Sequence, residues 1–487
     1  MLKKLILTVV VLTSPVFAEL KLPALISDNM VLQQQANVRI YGHADPNEKV
    51  TVTFRDQKQT TLADDKGFWQ VMLKPMTAGG PFEMTINNIK LKNIMVGEVW
   101  LASGQSNMDV RVPKAKDPSI EIANANYPQI RMFTVKTAIS DLPALDVKGK
   151  WLVCNPENVP DFSATGYYFS RHLHKKLNVP VGILNSSLGG TFIECWLSKD
   201  VLLSDPQFKY KVLEKKLLPG TKDKNKFMEK VWAEIQKNIK PANPFCFYNG
   251  MIAPIVQYTI RGAIWYQGES NTENPYEYRR LFPLLIHTWR KMWNQGDFPF
   301  LFVQLANYNN TNPCKTAPTG NWALLREAQS MALAIPNTAM ATTIDVGDPE
   351  DLHPKNKQEI ARRLGLAAEA LVYGKDVAYS GPIYSSMSVQ KNKILIKFTH
   401  CYSGLSTKNQ SPKGFTIAGA DKKFFPAQAK LDRDSVLVWS QQVAKPIAVR
   451  YGWADNPQCN LYNSAGLPAS PFRSDDWPGV TANVKMK

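Results

Sequence analysis

Between residues 20 and about 92, apolar and polar residues alternate in short runs: "VRIYGHA", "KVTVTF", "GFWQVML" and "FEMTINN". Alternation with a period of two turns one face of a strand to a core and the other to water, so an all-β region is expected here. The segment "DDKGFWQ" inside it reads as a hairpin turn. From about residue 93 the pattern changes. "IMVGEVWLASG", "VPVGILNSS", "IRGAIWYQG" and "FPFLFVQLANY" are apolar almost without interruption, which suits strands buried on both faces of a parallel sheet. Between and after them, "YYFSRHLHKKLN", "EYRRLFPLLIHTWRKMW", "LLREAQSMALAI" and "QEIARRLGLAAEALVYG" space their apolar residues for amphipathic helices.

Strands alternating with helices predict an α/β domain with a three-layer α/β/α arrangement over 93–378. A lysine-rich helical pattern over about 200–243 reads as an insertion between strands. Alternation returns in "KILIKF", "GFTIAGA", "SVLVWS" and "IAVRYGW". A second β-rich, sandwich-like region is therefore expected over 379–487, matching the β-rich domain over 19–92.

Residues 1–18, "MLKKLILTVVVLTSPVFA", join two lysines to an apolar stretch with small residues, Val16 and Ala18, before a cleavage point. They read as a signal peptide, too short in its apolar part to span a bilayer. The expectation is an exported protein, periplasmic or secreted, with no transmembrane segment. Export changes the meaning of the formal charge of +17, from 58 basic and 41 acidic residues. The lysines are scattered rather than gathered in a stripe, and an exported chain rarely meets nucleic acid, so acidic glycans or an anionic surface are the better match. Six cysteines, at 154, 195, 246, 314, 401 and 459, form no Cys-x-x-Cys pair. Cys401 and Cys459 share the last β region and are the first choice for a disulfide. Oligomeric state has no signature in the pattern.

Two serines compete as nucleophile: Ser106 in "ASGQSNMD" and Ser270 in "WYQGESN". A serine esterase needs a histidine and donors for an oxyanion beside its hydroxyl. Among six histidines, His43, His172, His174, His287 and His400 lie in β or helical patterns and read as structural. His353 stands instead in the acidic loop "IDVGDPEDLHP", after an apolar run, where a doubly wound sheet places its ligands. Asp351 is the first choice for the acid that orients it and Glu350 the second, with Asp345 and Asp348 further up the loop. Ser106 directly follows the first α/β strand, and Gly104 permits a tight turn there. No Gly-x-Ser-x-Gly elbow occurs. Pattern alone leaves both serines open.

The blocks "GQSNM", "NSSLGGTFIECW", "YNGMIAPI…GAIWYQGESN" and "DLHPKNKQEIARRL", in that order, resemble the sialate O-acetylesterase family of the SGNH hydrolase superfamily. The resemblance covers nearly all of the chain after residue 20. It implies the three-layer fold, Ser106 as nucleophile and His353 as base. It also implies oxyanion donors from the N–H of Ser106, the N–H of Gly190 (or its neighbour Gly189) and the Gln267 side chain. Asn107, Glu269 and Asn271 would contact substrate or fix the loops of the site. The implied reaction removes acetyl groups from O-acetylated sialic acid or a sialoglycan, with no metal or organic cofactor. An arginine such as Arg279 or Arg111 would clamp the sugar carboxylate. Two rival readings are the same chemistry on another glycan such as acetylated xylan, and a non-catalytic glycan-binding protein.

Overall fold

The structure, a computed structural model, describes residues 20–213, 244–308 and 320–479. The expected signal peptide, most of the lysine-rich insertion after Leu213, and Cys314 lie outside these residues.

The N-terminal region consists of β1 (Val31–Gln33), β2 (Val38–His43), β3 (Lys49–Phe54), β4 (Gln57–Leu62), β5 (Phe68–Leu73) and β6 (Gly79–Ile86). β2 pairs with β5, whereas β3 pairs with β4 and β6. The turn in "DDKGFWQ", built on the Asp64 carboxylate accepting from the N–H groups of Lys66 and Phe68, therefore joins two sheets. It is not a hairpin, because β4 and β5 belong to different sheets.

β7 (Ile89–Gly104) is the spine of the molecule. Its first half pairs antiparallel with β6 and parallel with β1. Its second half pairs parallel with β10 (below) and runs on into the α/β core. The border placed between residues 92 and 93 thus falls inside one strand, whose burial changes from alternating to continuous along its length. β8 (Tyr127–Thr134), β9 (Trp151–Cys154), β10 (Val181–Ser187), β11 (Gly262–Tyr266), β12 (Phe300–Val303) and β13 (Thr338–Ala341) complete the sheet, in the order β13-β12-β11-β7-β10-β8-β9. All neighbours are parallel except β9, which is antiparallel to β8.

Eight helices in the described residues bear on the core: α1 (Ser106–Asp109), α2 (Pro118–Ala123), α3 (Ala164–Leu177), α4 (Lys199–Ser204), α5 (Lys209–Leu213), α6 (Pro275–Trp293), α7 (Asn321–Met331) and α8 (Lys357–Leu371). Because successive strand residues point to opposite faces, β7 sends Trp100 and Ala102 to one side and Val99 and Leu101 to the other. The first side is covered by α3 and α8 through Phe169, Leu173, Ile360 and Leu364. The second is covered by α6 and α7, through Leu281, Phe282, Trp289 and Leu325, and continues into the N-terminal β core at Val50, Val52 and Ile86. Each fully buried side chain of this size contributes roughly 1.5–3 kcal/mol.

The C-terminal region is a sandwich. Strands Ile383–Gln390, Lys393–Thr399, Gln428–Asp432 and Ser435–Trp439 form one antiparallel sheet, and Phe415–Ala418, Phe424–Pro426, Ala448–Tyr451 and Phe472–Arg473 form the other. Ile394, Ile396, Ile417, Val436 and Val449 fill the space between. Cys401 and Cys459 are separate thiols, which corrects the expected disulfide. Cys401 Sγ turns to the carbonyls of Phe398 and Thr399, while Cys459 Sγ packs against Gly414 and Gly452. Buried Arg326 on α7 ties the sandwich to the core by donating to Leu305 O and Ala306 O on one side and Ala454 O and Asp455 O on the other.

Candidate active site

Three parallel strands, β7, β10 and β11, end side by side, and their loops converge outside the carboxyl edge of the sheet. The chain winds to one side of β7 through β8 and β10, then crosses to the other through β11, β12 and β13. That reversal opens the crevice in which α/β sheets bind ligands. Gly104 closes β7 at φ 135°, and a Cβ there would stand 2.1 Å from Tyr266 O, so only glycine lets β11 approach this closely. The next residue, Gln105, is buried; its N–H donates to Tyr266 O and its Oε1 accepts from the N–H groups of Gly268 and Ser270. Ser106 then opens α1, half-buried. α3 holds this turn from behind: its N-cap Ser163 donates to Met108 O at 2.6 Å and Thr165 Oγ1 to Asn107 O at 3.2 Å.

The loop after β13 brings His353 to Ser106 and not to Ser270. Ser106 Oγ lies 3.0 Å from His353 Nε2. On the far side of the ring, His353 Nδ1 lies 3.2 Å from Asp351 Oδ1, which also accepts from the His353 N–H at 2.8 Å. Asp351 therefore fixes both the backbone and the ring of His353. Glu350 is exposed, and its N–H is held by Asp348 Oδ1; Asp345 is engaged by Arg363. A hydroxyl, an imidazole and a carboxylate joined in this order can move a proton from oxygen to nitrogen and stabilise the imidazolium formed.

Opposite His353 runs the loop after β10. Gly190 has φ 73°, and a Cβ on Gly189 would stand 3.2 Å from Ser106 Cβ, so this loop packs directly on Ser106. Among the described residues no acceptor takes the N–H of Ser106, Gly189 or Gly190. Gln267 is placed differently from the expectation. It is fully buried, its Nε2 donates to Thr191 O and Asn271 Oδ1, and its Oε1 accepts from Tyr278. With both amide hydrogens committed, it braces the glycine loop and presents no donor to an oxyanion. Asn271 extends the brace, accepting from the Ile193 N–H and donating to Glu194 Oε2. Glu194 is in turn paired with buried Lys211 of α5 at 2.6 Å. Burial alone would raise the Glu194 carboxyl, but the Lys211 ammonium, together with hydrogen bonds from Asn271 and the backbone, holds the acid below its usual range.

Asn107 is buried beneath Ser106. Its Nδ2 donates to Glu269 Oε1 and to Leu352 O, and its Oδ1 accepts from Lys357 Nζ. Among the described residues Glu269 Oε2 is buried with no hydrogen-bond partner. Burial raises the Glu269 carboxyl and pushes the Lys357 ammonium down to about 7, although the two charges favour each other. Burial also lowers His353, and the Lys357 charge lowers it further against the opposing pull of Asp351.

Asn107, Glu269 and Asn271 thus act on loops rather than facing open space. Arg279 is spent on Glu327 and stacks over Tyr276, away from the clamp role expected of it. Arg111 is exposed just beyond α1 and pairs with Asp161. Lys357, Gln105, Glu194 and Lys211 were not singled out by sequence; a lysine within an amphipathic pattern reads as part of a solvated face. Only the polar residues crowded into the otherwise apolar strand ends gave any signal. Among the described residues no group of three or more His, Cys, Asp or Glu is arranged to hold a metal ion. No described helix is long and apolar enough to cross a membrane.

Known proteins resemble this chain over most of its length. Residues 96–371 match the family model "Carbohydrate esterase, sialic acid-specific acetylesterase". The chain is 31% identical to the sialate O-acetylesterase of Homo sapiens, with 94% of each covered. It is 30% identical to that of Mus musculus, over 92% of this chain and 93% of the relative. Among solved structures, a carbohydrate acetylesterase from Xanthomonas citri superposes with a TM-score of 0.84 at 36% identity, over 94% of this chain and all of the other. The chain belongs to the sialic acid-specific acetylesterase family of carbohydrate esterases.

Proposed function

We propose that this esterase removes the acetyl group from 9-O-acetylated sialic acids, free or on sialoglycans, through an acetyl-Ser106 intermediate. The observation that carries the reading is the 3.0 Å approach of Ser106 Oγ to His353 Nε2, with Asp351 on the other ring nitrogen. His353 takes the Ser106 proton as the oxygen attacks the acetyl carbonyl. The N–H groups of Ser106 and of the Gly189–Gly190 loop receive the oxyanion; each such donor is worth about 3 kcal/mol of barrier. The imidazolium, steadied by Asp351, gives its proton to the departing sugar hydroxyl. Water, deprotonated by His353, then attacks the acetyl-enzyme, and acetate leaves with Ser106 re-protonated.

The family and the relatives named for sialate favour a sialic acid as the alcohol. The excess of basic residues suits an anionic sugar, and Arg111 is the exposed guanidinium nearest α1 in sequence. The N-terminal sequence supports export to the periplasm or beyond. The test is acetate release from 9-O-acetylated sialic acid with acetylated xylan alongside. Release from the sialate is expected; release from xylan alone would overturn the substrate and leave the chemistry standing.

A further inference from the structure

Lys357 is a costly residue in its position. It is the first residue of α8, where the helix dipole disfavours a cation, and it is fully buried. Lysine is almost never buried to this extent without a charged or hydrogen-bonding purpose. Its ammonium donates to Asn107 Oδ1 and lies 5.1 Å from the centre of the Tyr266 ring. It can only donate, so it turns Asn107 Oδ1 toward itself and the Asn107 amide hydrogens toward Glu269 and Leu352 O. Leu352 O belongs to the peptide that leads into His353. One ammonium therefore determines how the residue beside Ser106 grips the residue before His353.

We propose that Lys357 is a positioning residue for the Ser106–His353 pair: through Asn107 it locks the loop of the base onto the helix of the nucleophile, and its ammonium repels a proton on His353. The proposal rests on the esterase reading above. The charged groups that bear on His353 are Asp351 from its own loop, Lys357 from α8 and Lys114 from the turn after α1. Those that bear on Lys357 are Glu269 and Asp351. Asp351 favours the imidazolium, the two lysines oppose it, and Lys357 is the larger of the opposing pair.

Two variants separate grip from charge. Lys357→Gln keeps a donor for Asn107 but drops the charge; Lys357→Met drops both. Both are expected to move the acid limb of the kcat/KM profile on p-nitrophenyl acetate to higher pH, because His353 loses that repulsion. Lys357→Met should in addition lower kcat by about 100-fold with KM changed less than about threefold, the effect of a misplaced base. If either folded variant keeps the wild-type acid limb, or if Lys357→Met loses stability while its folded fraction keeps wild-type kcat, the proposal is overturned and Lys357 is a structural cross-link only. Should Lys357→Met not fold, Lys357→Gln carries the pH test alone. Failure of the esterase reading would show differently, as wild-type turnover in Ser106→Ala.

Discussion

His353 Nε2 meets Ser106 Oγ at 3.0 Å across 247 residues of sequence, and Asn107 donates to Leu352 O beside that contact. The nucleophile and the base are thus joined twice, once through the reacting atoms and once through the neighbours that hold them. Asp351 sits behind His353, partly open to solvent. Asp351→Asn should lower kcat by about 10²–10⁴-fold, the range in which an orienting acid acts. Glu350→Gln should change it less than about twofold, because the Glu350 side chain takes no part in holding the ring. Steady-state kinetics on p-nitrophenyl acetate distinguishes the two acids directly.

The acid limb of kcat/KM should lie below the ordinary histidine value of 6.5. His353 is lowered, first by burial and then by Lys357. A base must be neutral to act, so activity is full above its pKa in the folded enzyme and falls as pH drops through that value. A pH profile of the wild type at constant ionic strength checks this. An acid limb above 6.5 would mean that Asp351 outweighs burial and Lys357.

Gln267 offers a test of brace against donor. Gln267→Met removes the buried amide that Thr191 O, Asn271 Oδ1 and the Tyr278 hydroxyl share; Asn271 Oδ1 keeps the Ile193 N–H and Tyr278 keeps Gln267 O, while Thr191 O loses its side-chain donor. A loss of stability of about 2–4 kcal/mol is expected, with kcat of the folded enzyme falling less than about tenfold. An oxyanion donor would give the reverse, with kcat down about 10²–10³-fold and stability kept. Urea unfolding and kinetics on the same preparation decide between them.

Lys211 and Glu194 are both about as buried as side chains can be, at 2% and 3% exposure, and this decides what their pairing means. Lys211→Met removes the cation and leaves the Glu194 carboxylate uncompensated beside the glycine loop. The expected cost is about 3–5 kcal/mol of stability. The loss should ease at low pH, where Glu194 takes a proton: without Lys211, burial raises this acid instead of the cation holding it down. Unfolding midpoints of wild type and variant between pH 5 and 8 measure the effect.

The sheet was legible in the sequence because strands buried on both faces leave uninterrupted apolar runs, as in β7, β10 and β11. The spine was not, because β7 enters one environment alternating and leaves it in another, and the change of pattern at residue 93 looked like a border. His353 and Asp351 were legible as residues of an acidic loop after a strand, whereas pattern left Ser106 level with Ser270 and only the resemblance chose between them. Lys357, Glu194 and Lys211 were not: burial gives them their meaning, and no local pattern tells a buried lysine from a solvated one. Gln267 was assigned by its motif position, but the partners that occupy its amide come from Thr191, Asn271 and Tyr278, which only the fold brings together.

The measurement that bears most directly on the central claim is mass spectrometry of the enzyme quenched in acid during turnover of 9-O-acetylated sialic acid, with Ser106→Ala as control. One acetyl group on the peptide containing Ser106, absent from a variant that no longer releases acetate, is the predicted result. An acetyl group on Ser270, or a Ser106→Ala enzyme that still turns over, would contradict it.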